Sequence, residues 1–75
     1  MKQEIIDQLD EIGATYDCEL FLPPFKGRNN PFYFIGDIKQ DAILFRDFFK
    51  DLDKLDIEFR YVKIDGDLDY MEISE

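Results

Sequence analysis

The stretch Gly36–Leu55, GDIKQDAILFRDFFKDLDKL, has a pattern that fits one regular conformation. Ile38, Ala42, Phe45, Phe49 and Leu52 recur at spacings of four and three, which at about 100° per residue sets them along one stripe of an α-helix. Leu44, Phe48 and Leu55 widen that stripe. Asp37, followed three residues later by Gln40, has the form of a capping box, in which each side chain satisfies a backbone N–H of the first turn. The pattern therefore predicts a helix that starts at Asp37 and ends between Leu52 and Leu55, where Asp53 and Asp56 disfavour the helix interior. Lys39, Arg46, Lys50 and Lys54 share the outer side with Asp47, Asp51 and Asp53, so that face is mixed in sign.

A second amphipathic segment opens the chain. Ile5, Ile6, Leu9 and Ile12 lie on one side of a helix from Lys2 to Ile12, and Glu4, Asp7, Asp10 and Glu11 lie on the other. Gly13 is placed to end it as a C′ residue with positive φ. The remaining patterns alternate. Tyr16, Cys18, Leu20 and Leu22 form one face of a strand closed by Pro23-Pro24, and Phe32 to Ile35 forms a second. The connection between them, PPFKGRNNP, is long for a hairpin; its Phe25, Lys26 and Arg28 could contact a nucleotide or an acidic surface, but the expected reading is an ordinary loop whose Phe25 tucks into the core. Residues Ile57 to Ile64 alternate again, Asp65-Gly66 marks a tight turn, and Leu68 to Ile73 returns. A two-residue turn places Ile57, Phe59 and Tyr61 on the face of Leu68 and Tyr70, whereas a three-residue turn with a bulge at Gly66 places Val62 and Ile64 there; the pattern leaves both registers open.

The order is αββαββ. Without a linker between its halves, the chain is expected to form a single α+β domain over residues 1–75: one four-stranded antiparallel sheet with two helices on one face. That arrangement leaves a bare sheet face and open edges, either of which could support a homodimer. A chain of 75 residues removes only roughly 60% of its unfolded surface on folding. Eight Phe and four Tyr compensate, and they argue against an acidic disordered tail. No apolar run approaches the roughly 18 residues of a membrane span, and the acidic N-terminal segment lacks the blocks of a signal peptide, so a cytoplasmic protein without a membrane partner is expected. A single Cys18 suits a reducing compartment.

Several chemistries lack their groups. The chain has no His, so histidine acid–base, nucleophile-activating and metal-ligand schemes are missing, and Ser74 is the sole serine. Cys18 sits among apolar neighbours in an alternating segment and reads as a core residue. Asp65-Gly66-Asp67-Leu68-Asp69 superficially resembles a calcium loop, but its glycine is at the second position where that loop requires the sixth. Neither an enzyme, nor a metal, nor a cofactor is indicated. With 18 Asp and Glu against 9 Lys and Arg, a formal charge of −9, direct nucleic-acid binding is disfavoured, because that affinity comes from basic residues displacing counterions. Basic partners are favoured instead.

The candidate partner-binding residues are Glu4, Asp7, Asp10 and Glu11 on the first helix, and Asp65, Asp67, Asp69 and Tyr70 at the last hairpin. These carboxylates could approximate a nucleic-acid backbone and enter a basic groove of a nucleic-acid-binding protein, with Tyr70 and Met71 supplying the lasting contact. Against this stands the simpler account that they keep a small domain dispersed. In size, charge and lack of catalytic groups the chain is similar to the small acidic inhibitors that bacteriophages direct against host defence or nucleic-acid enzymes, anti-CRISPR proteins among them. A second expectation is a structural or assembly protein that self-associates through a sheet edge or the open face.

Overall fold

The computed structural model describes residues 1–64 and 66–74, and the side chains of all of these except Asp67 and Leu68. Helix α1 spans Gln3–Tyr16, strand β1 Leu20–Phe21, strand β2 Phe32–Phe34, a 3₁₀ turn Ile38–Gln40, helix α2 Ala42–Asp53, strand β3 Glu58–Ile64 and strand β4 Asp67–Ser74. The strands form one antiparallel sheet in the order β1-β2-β4-β3. Both helices pack on one face of it, as the patterning predicts.

Alternation along the strands separates two apolar clusters. Tyr33, Met71 and Ile73 face the helices and meet Leu9 of α1 with Phe48 and Leu52 of α2, all fully buried. Tyr33 joins these layers. Its hydroxyl donates to the Leu9 carbonyl, and its ring meets Phe48 edge-on at 5.0 Å.

The opposite face is not bare. Phe32, Val62 and Ile64 are buried there beneath Phe21, Phe25 and Tyr70. The cover comes from the connection between β1 and β2. Phe25 and Arg28 exchange backbone hydrogen bonds around Lys26 and Gly27, whose φ values of 50° and 76° give the doubly left-handed turn that a tight hairpin requires. This miniature hairpin lays Phe25 on Phe21 at 4.5 Å and near Phe32 and Tyr70 at 5.6 and 5.7 Å. Phe25 thus tucks in as expected, but into a second core that patterning within strands could not anticipate. Neither register is adopted as posed: the two-residue connection is kept, and the irregularity lies within β3 rather than at Gly66. Val62 pairs with Tyr70 and Ile64 with Asp67, with a shift between them that keeps Val62 and Ile64 in the Phe32 cluster.

Helix boundaries also depart from expectation. Asp37 makes no capping bond with its side chain, and the amide of Gln40 reaches Gly36 O at 3.1 Å instead. The cap of α2 is Asp41, whose carboxylate accepts from Ile43 N at 3.2 Å and Leu44 N at 3.1 Å. A 3₁₀ turn intervenes because Ile38 must be buried while the chain leaves β2. Gly13 does not end α1; the helix continues to Tyr16, which packs on Phe48 at 5.6 Å, and Asp17 takes the left-handed cap at φ 56°. Gly13 is required for closeness. A Cβ there would lie 2.7 Å from the Cys18 carbonyl oxygen and 3.2 Å from the Tyr33 ring. The first strand shrinks from Tyr16–Leu22 to two residues, yet Tyr16, Cys18 and Leu20 still meet the helix-side core.

Two substitutions test this account. Gly13→Ala should lower stability by about 1–2 kcal/mol in urea unfolding, because an overpacking cost of roughly 1–3 kcal/mol exceeds a helix-propensity gain of roughly 0.5–1; an unchanged midpoint would contradict the tight approach. Asp41→Ala should cost ~1 kcal/mol as a lost cap, whereas Asp37→Ala should stay within about 0.5 kcal/mol.

Candidate binding groove

The turn from α1 into β1 builds an open concavity on the surface. Cys18 N donates to Gly13 O at 2.8 Å, which folds the chain back sharply and turns Cys18 inward while Asp17 and Glu19 stay exposed. Asp10, Gly13, Ala14 and Asp17 follow one stripe of α1, at intervals of three and four. Together with Glu19, Leu20, Phe34 and Asp37 they line an open groove of about 640 Å³. An adjoining hollow of about 310 Å³ shares Asp17 and Asp37 and adds Tyr16, Ile38, Asp41 and Leu44. Among the described residues no lysine or arginine lines either concavity.

The field of these carboxylates is visible on the one thiol nearby. Burial pushes Cys18 up to about 11, and the negative charges of Asp17 and Asp37 add to the shift. Such a thiol is inert at neutral pH. Tyr16 is likewise pushed up to about 12, first by the hydrogen bond it donates to Asp51 at 2.6 Å; the same bond lowers Asp51. Among the described residues, no three carboxylate or thiol groups converge as a metal would need.

The groove includes one residue singled out from the sequence, Asp10. Glu4, Asp7 and Glu11 are exposed further along α1; Asp7 accepts from Gln3 at 2.9 Å, and among the described residues Glu4, Asp10 and Glu11 pair with no cation. The last hairpin does not join this surface. Asp69 is ion-paired with Lys39, Tyr70 packs with Phe21 and Phe25 on the opposite sheet face and meets the groove only through the edge of Phe34 at 5.6 Å, and Met71 is fully buried on the helix side. Asp65 lies outside the described residues, as does the side chain of Asp67. Asp17, Glu19 and Asp37 were not singled out from the sequence. Asp17 and Glu19 flank the inward Cys18, which was a usable signal, whereas Asp37 is distant in sequence and joins them only through β2.

Four exposed carboxylates, Asp10, Asp17, Glu19 and Asp37, give the groove a negative local potential. Among the described residues no helix is long and apolar enough to cross a membrane. Comparison with protein-family models, curated proteins and solved structures returned no match.

Alkylation by iodoacetamide at pH 8 should find native Cys18 about a hundredfold slower than the same thiol in denaturing urea, since a rise to about 11 from the ordinary 9.0 reduces thiolate by that factor. Equal rates would show that the thiol is not held inside.

Proposed function

We propose that this chain is a non-enzymatic acidic binding module that occupies a basic, nucleic-acid-binding surface of a partner protein in the cytoplasm, as an inhibitor of phage type such as an anti-CRISPR or other nucleic-acid mimic. One observation carries the proposal. Asp10 belongs both to the outer face of α1 and to the groove, so Glu4, Asp7, Asp10 and Glu11 continue into Asp17, Glu19 and Asp37 without a lining lysine or arginine. A basic groove that normally holds phosphates would meet a run of carboxylates on a rigid scaffold. Association would be fast and salt-sensitive, as for other electrostatically steered complexes.

The test is capture of a basic partner by the wild-type chain and by an Asp10→Lys, Glu19→Lys, Asp37→Lys variant across a salt series, followed by elution with duplex DNA. Wild-type capture should weaken steeply with salt and yield to DNA. The variant should retain its circular dichroism and lose capture; equal capture of the same partner by both would refute the proposal.

A further inference from the structure

We infer that strand β3 is a docking edge for a second copy of this chain, joined antiparallel about a two-fold axis at Phe59. Strand β3 ends the sheet, so its outer row of backbone N–H and C=O groups has no neighbouring strand among the described residues. An antiparallel copy must meet it with residues of the same face opposite one another. Centring the pair on Phe59 sets Glu58 opposite Arg60 of the second copy and Arg60 opposite its Glu58, which gives two opposite-charge pairs on one face. On the helix face Phe59 then meets Phe59, and Ile57 meets Tyr61 twice. Centring on Arg60 would instead oppose two arginines. The edge is thus complementary to its own reversed copy in one register, in both charge and apolarity.

The side chains are disposed for this. Arg60 is held by Glu72 through Nε and Nη2, each at 2.8 Å, which leaves Nη1 of a side chain that is 71% exposed. Glu58 is exposed and has no ion pair among the described residues. Tyr61 is 50% exposed although it belongs to an aromatic corner with Phe45 and Phe49, and Phe49 backs Phe59 at 5.1 Å. Pairing would cover that corner. A formal charge of −9 on each copy opposes approach at long range, and physiological salt screens it beyond a Debye length of about 8 Å.

Sedimentation equilibrium at physiological ionic strength decides the matter, using the wild-type chain, Glu58→Lys, Arg60→Glu and an equimolar mixture of the two variants. The wild type should self-associate. Each variant alone sets like charges opposite each other twice and should associate at least about tenfold more weakly. In the mixture the introduced lysine of one copy meets the introduced glutamate of the other, and the retained Arg60 meets the retained Glu58, so association should return to within about threefold of the wild type. A wild-type chain that stays monomeric overturns the inference, even if the edge accepts a foreign extended peptide. So does Glu58→Lys associating as tightly as the wild type, and that variant alone suffices if Arg60→Glu disturbs the fold around Glu72.

Discussion

Tyr33 is the residue on which the packing of this small domain converges. It lies fully buried on the central strand β2, its ring against Phe48 of α2 and its hydroxyl bonded to the Leu9 carbonyl of α1. A buried phenol needs a partner for its O–H, because an unsatisfied one costs roughly 1–3 kcal/mol. Meeting that need at a helix carbonyl sets how closely α1 approaches the sheet. Gly13 follows from that approach, since any side chain there would strike Tyr33 and the Cys18 carbonyl. The sharp return at Cys18, and with it the groove wall, depends on the same contact.

A chain of this length gains stability by burying both sheet faces. The β1–β2 connection supplies the second cover, so a miniature hairpin takes the place of a third layer. Phe25 is its anchor, and Arg28 lies 5.9 Å over the Phe32 ring while approaching Glu72. Glu72 is a buried carboxylate held between Arg28 and Arg60, which is the condition under which a charge is tolerated at such depth.

Those pairings also determine where negative charge remains. Lys39 is engaged by Asp69, Arg46 by Asp47, Lys54 by Asp51, and both Arg28 and Arg60 by Glu72. Among the described residues no ion pair involves Glu4, Asp10, Glu11, Asp17, Glu19 or Asp37, so the outer side of α1 and the groove beside it retain negative charge. The proposed inhibitor surface and the β3 edge occupy different parts of this layout and are separable by mutation.

The element order, the two helices on one face and the part of the α2 stripe from Phe45 to Leu52 were legible in the sequence, because periodicities of 3.6 and 2 follow from backbone geometry and need no distant partner, whereas Ala42 and Leu44 of the expected stripe are exposed. The reversal between β3 and β4 was legible for the same reason. What escaped depended on contacts between residues far apart. Asp37 has the stronger local capping pattern, with Gln40 three residues on, yet the 3₁₀ turn that buries Ile38 moves the cap to Asp41. Gly13 serves a close approach to Tyr33, far along the chain, and not a left-handed turn. The shift within β3 keeps both Val62 and Ile64 in the cluster on the far sheet face, which alternation along the strand alone does not reveal. The acidity of the first helix was written in the sequence, but the groove was decided by tertiary structure, since Asp37 reaches Asp10, Asp17 and Glu19 only after β2 pairs with β1.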